Sequence, residues 1–130
     1  AHGATILYHT DGAARPLIPD LVDEVGIDLL NPIQWRCPGM EVPDLVADWG
    51  DRIGFHGGVD NQATLAFGSP DDVTAEVERL AAEFAGYRWI CAPCHNIQPV
   101  TPVENVVAMY ETIHRISEDR SAASVPGDAR

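Results

Sequence analysis

The chain has 130 residues, 45% apolar and 22% charged, a balance that suits one globular domain with a real core and excludes a disordered segment. Asp and Glu number 20 against 8 basic residues, a formal net charge of −12, which excludes the basic footprint of a nucleic-acid binder and opposes docking on anionic membrane. Every basic residue is Arg, so a Schiff-base lysine and a P-loop lysine are excluded, and no apolar run approaches the ~20 residues that span a bilayer.

The opening Ala1-His2-Gly3 carries no charged or long apolar stretch, which predicts no secretory signal. Three Cys, odd and few, argue against a disulfide framework and fit a reducing cytoplasm. A first residue other than Met points to a fragment or a processed chain.

In chain order, the first extended run is Ala4 to His9. Leu17, Leu21, Val22 and Val25 then recur at helical spacing, and Gly26 stops that helix. A second extended run covers Ile27 to Ile33, and a short helix covers Pro43 to Trp49 before Gly50. The third run, Arg52 to His56, leads into Gly57-Gly58. Ser69 predicts an N-cap, with Pro70 at the first helical position and Asp71 and Asp72 at the positive helix end. Val73, Val77, Leu80, Ala81 and Phe84 form one apolar stripe on that helix. Tyr87 to Ala92 is the fourth run. Thr101-Pro102-Val103-Glu104 reads as a capping box opening the last helix, with Val103, Val106, Val107, Tyr110 and Ile113 as its buried stripe. From Ser117 the tail is polar and aperiodic and is expected to fray.

Four βα units follow from this order. The extended runs are too uniformly apolar for a half-solvated sheet, so they predict a parallel sheet with crossover helices. The unit length suits half of a TIM (β/α)8 barrel, and a four-stranded doubly wound sheet is the alternative. Residues 1–116 would form the (βα)4 half-barrel and residues 117–130 a polar tail. Four parallel strands leave two open edges, to be covered by a missing N-terminal half or by a second copy of the chain.

Ligands of parallel α/β proteins bind beyond the carboxyl ends of the strands. Those ends place His9, His56 and His95 on one rim, with Asp11, Asn31, Gln34 and Asn96 beside them. His9 and Asp11, two apart, face the same side of an extended chain. They read as ligands of a Zn2+ or Fe2+ site, as an acid–base pair, or as a turn cap with a strand-end polar residue. Cys91-Ala92-Pro93-Cys94-His95 fits a C-x-x-C-H haem pattern, but it follows a buried strand and has no export signal. A redox pair would need a helix start beside Cys91, and the next helix begins only near Pro102. Zinc through Cys94 or Cys91 with His95 or His9 stays open, as does a small buried Cys91 beside a loop thiol. Gly57-Gly58 allows backbone N–H groups to approach an anion, or simply makes a tight strand exit. Arg36, after Trp35 and before Cys37, could grip a substrate carboxylate or lie on a surface loop. His2 and His114 look incidental.

Four passages carry a resemblance: His9-Thr10-Asp11-Gly12, Asp28-Leu29-Leu30-Asn31-Pro32-Ile33-Gln34, Phe55-His56-Gly57-Gly58-Val59-Asp60, and Ala92-Pro93-Cys94-His95-Asn96-Ile97 through Thr101-Pro102-Val103-Glu104-Asn105. Their order and spacing over Ile6 to Ile116 resemble the C-terminal half of the uroporphyrinogen decarboxylase family. The resemblance implies a (β/α)8 barrel with its site at the C-terminal rim, with a decarboxylase-like lyase as the expected enzyme and a methyltransferase as the alternative. One branch decarboxylates a tetrapyrrole or related polycarboxylate without metal or cofactor. It implies His95 as proton donor or carboxylate holder, with His9 and Asp11 orienting the substrate. His56, Gly57, Gly58, Asn31, Gln34 and Asn96 would line its binding surface. The other branch transfers methyl groups from a corrinoid protein to a zinc-bound thiolate. It implies a metal held by His9, Asp11, His95 and Cys94, although Asp11 stands where that branch has a Cys and His95 where it has another. Asp11-Gly12 resembles the decarboxylases; Thr101-Pro102-Val103-Glu104-Asn105 resembles the methyltransferases. An isolated half-barrel is expected to be inactive, and a non-catalytic fragment is the third reading.

Overall fold

Each extended run supplies one short strand to a single parallel sheet. In the computed structural model, which describes residues 3–123, these are β1 (Leu7–His9), β2 (Leu29–Asn31), β3 (Gly54–His56) and β4 (Trp89–Ile90). Their order is β1-β2-β3-β4, with every neighbouring pair parallel. The order never reverses, so the sheet has no topological switch point, and the doubly wound alternative is set aside. The architecture is α/β, half of a TIM-like barrel. Side chains alternate across the sheet. Leu30 and Phe55 are fully buried beneath the helices. His9, Asn31 and His56 belong to the opposite face.

The strands are shorter than the apolar runs that announce them. Ile27, Ile33 and Ile53 lie outside the ladders yet are buried, so apolarity there reports burial and not strand pairing. Leu7 and Ile90, on the two outer strands, are half exposed.

Between β1 and β2 the helical stretch is irregular: a 3-10 turn Arg15–Leu17, a single α turn α1 (Ile18–Asp20) and a π turn Leu21–Val25. Gly26 ends it in the left-handed region, φ 74°, and its N–H donates to the Leu21 carbonyl. Helix α2 (Val42–Trp49) buries Val42, Leu45 and Val46. A four-residue helix, α3 (Thr64–Phe67), is too short to leave a periodic signal.

Helix α4 (Pro70–Glu83) starts where its sequence predicts. The Ser69 hydroxyl accepts from the Asp72 N–H at 3.2 Å, and the Asp72 carboxylate accepts from the Ser69 N–H at 2.8 Å. All five residues of the predicted stripe are buried. Phe84 stacks on Trp89 at 4.8 Å between ring centroids and touches Phe55 at 5.5 Å, tying α4 to β3 and β4.

Helix α5 (Val103–Ala123) differs from its sequence reading. Its buried row is Asn105, Met109 and Thr112; of the predicted stripe, Val106 and Ile113 are partly buried, Ile113 against the core, while Val103, Val107 and Tyr110 are exposed. The reason is polar. Asn105 Nδ2 donates to the carbonyls of Leu65 (3.0 Å) and Gly68 (2.8 Å), which rotates the helix so that this row faces α3 and α4. The Thr101–Glu104 capping box does not form: the helix begins at Val103, and the Thr101 hydroxyl is buried without a hydrogen-bond partner. The helix also continues past Ser117, where fraying was expected. Arg120 donates to the Ala81 carbonyl, and Arg115 pairs with Glu78 at 2.6 Å. Residues 124–130 of the expected tail, and His2, lie outside the described residues. No helix among the described residues is long and apolar enough to cross a membrane.

Replacing the cap, Ser69→Ala, is expected to cost about 1 kcal/mol in urea unfolding, with the slope unchanged. The Ser69 backbone and side-chain hydrogen bonds hold the Asp72 carboxyl below its ordinary value. The cap's charged contribution is therefore present above the ordinary Asp range and lost as pH falls through the depressed Asp72 value. In Ser69→Ala, NMR titration should show Asp72 protonating at higher pH than in the parent.

Candidate functional site at the strand ends

Strand register builds the site. His9 lies opposite Asn31 in the β1–β2 ladder. Leu30 lies opposite Phe55 in the next, so Asn31 and His56 follow as neighbours. Three polar side chains thus stand side by side at the carboxyl ends of three strands. Asn31, buried, bridges the two imidazoles: its Oδ1 lies 2.6 Å from His9 Nδ1, and its Nδ2 lies 2.7 Å from His56 Nδ1. The amide expected to meet substrate is engaged on both sides, as a bridge between the two rings. The Asn31–Pro32 peptide bond that follows is cis.

The outer end of this row is a cluster of donors. His9 Nε2 is 3.4 Å from Asp11 Oδ2, and the His95 ring meets the His9 ring edge-on at 5.7 Å between centroids. One ligand atom from each of His9, Asp11 and His95 lies within 4.8 Å of the others, and all three residues are exposed at the rim. Two ligands on one zinc ion stand about 3.3 Å apart at Zn–N and Zn–O distances of ~2.0–2.1 Å. The His9–Asp11 separation therefore fits a divalent cation. Three protein ligands of this kind leave a position open, as catalytic zinc sites do.

A cavity of about 800 Å³ opens beside the cluster, lined by Asp11, Gln34, Trp35, Arg36, Asp60 and His95 among others. Gln34 is where the sequence places it, on the wall, with its Oε1 accepting from the Gly12 N–H. His56, Gly57, Gly58 and Asn96 lie off the wall. The Gly57 N–H donates to the Ile90 carbonyl, so it is not free to meet an anion. Both glycines instead offer carbonyls to indoles: Trp89 Nε1 donates to Gly57 at 2.8 Å and Trp35 Nε1 to Gly58 at 3.0 Å. Gly57 and Gly58 adopt φ of 93° and 120°, and a Cβ on Gly58 would meet Leu80 of α4 at 3.5 Å. They make a tight, closely packed strand exit. Asn96 contributes its carbonyl, which accepts from Gln98 at 3.1 Å.

Arg36 is likewise committed. Its Nε donates to Asp60 Oδ2 and its Nη2 to the Thr64 hydroxyl at 3.0 Å, while the guanidinium lies 4.3 Å over the Trp35 ring. Arg79 covers Trp35 at 4.2 Å. The buried Glu76 carboxylate accepts from the Asp60 N–H and from the Thr64 hydroxyl, each at 2.6 Å. The sequence reading did not single out Glu76, which is buried. Its signal was its spacing: it falls three residues after Val73 and four before Leu80, on the apolar stripe itself.

Residues 1–116 match the family model described as Uroporphyrinogen decarboxylase (URO-D). The chain belongs to the URO-D family. It is 27% identical over 107 residues to a uroporphyrinogen decarboxylase from Synechococcus sp. (strain CC9902), covering 82% of this chain and 28% of that protein. Among solved structures it is similar to a methyltransferase from Methanosarcina mazei, with a TM-score of 0.72 at 24% identity over 88% of this chain and 32% of that one. The chain thus spans about a third of the length of these relatives.

Within this URO-D domain the cysteines stand apart from the donor cluster. Cys94, expected as a metal ligand, is buried and donates its S–H to the Ile33 carbonyl at 3.3 Å. Burial, with the charges of Asp60 and Glu76 adding to it against a Gly58 backbone hydrogen bond, pushes its thiol up to about 12. Burial, helped by the Glu76 charge, pushes the Cys91 thiol up to about 12 as well. Neither sulfur is among the donor atoms that converge with His9, Asp11 and His95, and Cys37, Cys91 and Cys94 are all free. A rise from 9.0 to about 12 lowers the thiolate fraction at pH 8 by about 1,000-fold. Iodoacetamide should therefore modify Cys91 and Cys94 only after unfolding, which peptide mapping before and after urea will show.

Proposed function

We propose that this chain supplies the C-terminal half of a cation-dependent URO-D family enzyme, on the methyltransferase side of the superfamily, with a divalent ion, zinc foremost, held by His9, Asp11 and His95. The convergence of three ligand atoms within 4.8 Å carries this reading. The His/Asp/His set is harder than a thiolate set and suits zinc or a neighbouring divalent metal. The bound ion would supply Lewis-acid activation of the substrate atom brought to its open position. The chain's own residues do the rest. Gln34 and Trp35 shape the cavity in which a small substrate is held. The Arg36–Asp60 pair fixes the floor of the loop between β3 and α3. A corrinoid protein as methyl donor, approaching this same rim, belongs to the reading. So does an N-terminal half-barrel that covers the open edges of β1 and β4. Three free thiols fit a reducing compartment such as the cytoplasm.

A second reading, decarboxylation without a metal, draws support from the curated relative's name and from the exposed His95 as proton donor. The wall's charge weighs against a polycarboxylate substrate. Among the described residues, Arg36 is the one cation on it, and Asp60 already neutralises it.

Elemental analysis and calorimetric zinc titration of the full-length protein distinguish the two. The cation reading predicts one zinc per chain, with affinity lowered at least about 10-fold in each of His9→Ala, Asp11→Ala and His95→Ala. Absence of stoichiometric binding of zinc, manganese or iron(II) would leave the decarboxylase reading in its place.

A further inference from the structure

The row that ends at the cation cluster begins at His56, and its hydrogen-bond polarity is fixed by one atom that can only accept. Asn31 Nδ2 lies 2.7 Å from His56 Nδ1 and 3.4 Å from the His56 backbone carbonyl. A carbonyl oxygen has no hydrogen to give. The amide NH2 must therefore face His56, with one hydrogen for the ring nitrogen and one for the carbonyl. This orientation turns Asn31 Oδ1 toward His9. An amide oxygen also only accepts, so the proton between them, across 2.6 Å, sits on His9 Nδ1. Neutral imidazole carries a single N–H. In the neutral ring His9 Nε2 is then the lone pair, and Nε2 is the atom 3.4 Å from Asp11.

We propose that Asn31, held by His56, is a positioning residue that locks His9 in its Nδ1–H tautomer and so presents the Nε2 lone pair to the cluster with Asp11 and His95. The chain of acceptors and donors runs His56 carbonyl and Nδ1, Asn31 amide, His9 Nδ1–H, His9 Nε2. The reverse arrangement would put a hydrogen on His9 Nε2, aimed into the site where a cation would stand, and that nitrogen could not ligate. Metal-bound histidines are oriented in this way by the partner of their other ring nitrogen. Here the partner is a buried amide from the adjacent strand, which resists rotation because both of its ends are engaged. The same proton placement is of use without a metal, since a lone pair on Nε2 is also what a proton-accepting His9 would need. As a device for ligand binding, the proposal rests on the cation reading; as a statement about the His9 tautomer, it does not.

The test uses the full-length protein with 15N-labelled histidine, free of metal. Long-range 1H–15N correlation spectra should show His9 with a protonated Nδ1 and an unprotonated Nε2, and His56 with the opposite pattern. In Asn31→Leu, His9 should lose the fixed tautomer, and zinc affinity should fall about 10–100-fold. Asn31→Asp keeps an acceptor facing His9 and should retain both the tautomer and zinc affinity within a few-fold of the parent. The discriminating readout is the His9 tautomer, which a purely structural role for Asn31 would not set. Observation of His9 protonated on Nε2 in the parent protein overturns the proposal, as does an unchanged His9 tautomer in Asn31→Leu. If Asn31→Leu fails to fold, the parent spectrum and Asn31→Asp decide it alone. A parent protein with the predicted tautomer but no zinc binding sinks the cation reading and leaves the positioning role of Asn31 standing.

Discussion

The ladder register at the carboxyl ends of β1, β2 and β3 is the constraint on which the rest of this molecule depends. In a parallel sheet, neighbouring strands stand about 4.8 Å apart, and side chains alternate between faces. His9, Asn31 and His56 fall in one cross-strand row only because Leu7 pairs with Leu29 and Leu29 with Gly54. A slip of one residue in β2 would bring Leu30 into the row and turn Asn31 into the core. The apolar face forbids that slip, since Leu30 and Phe55 are fully buried on the helix side. The hydrophobic core and the polar rim are therefore two consequences of one pairing.

The loops beyond the strands are held by polar contacts from tryptophan and from buried acids. The indoles of Trp35 and Trp89 each donate to one glycine carbonyl after β3, and Trp89 is itself stacked on Phe84 of α4. Glu76, inside the stripe of α4, accepts from the backbone of Asp60 and from Thr64. Arg36 closes the circuit from the β2 side, stacked on Trp35 and paired with Asp60. Two buried carboxylates beside one guanidinium leave the adjoining cavity with little positive charge to offer a substrate. The donor cluster of His9, Asp11 and His95 is then the chemically distinctive part of the rim.

What the sequence revealed, it revealed where one physical signal acted alone. Ser69, Pro70 and Asp72 announce a helix start, because capping is local and needs nothing beyond three residues. The α4 stripe is legible because its apolar residues answer to one period. His9, Asp11 and His95 could be placed together because strand ends of a parallel sheet share a rim. Elsewhere tertiary contacts overrode the local signal. The face of α5 was misjudged because Val103, Val107 and Tyr110 look like a core stripe, while the amide of Asn105 decides the rotation by reaching two carbonyls of the α3 region. Arg36 and Gly57 looked available to a ligand, since nothing local tells that Asp60 and the Ile90 carbonyl claim them. Cys94 read as a ligand by its neighbour His95, but burial against Ile33 removes it.

In this URO-D family domain the strand ends bring the donor atoms of His9, Asp11 and His95 within 4.8 Å of one another, and the proposed function makes that meeting point a cation site. Paramagnetic broadening by substoichiometric Mn2+ tests it most directly, read on the histidine ring protons of the full-length protein. His9 and His95 are expected to broaden first and together, His56 less, and the exposed His114 on α5 not at all. Equal broadening of His114, or loss of His9 signal without loss of His95, would contradict it.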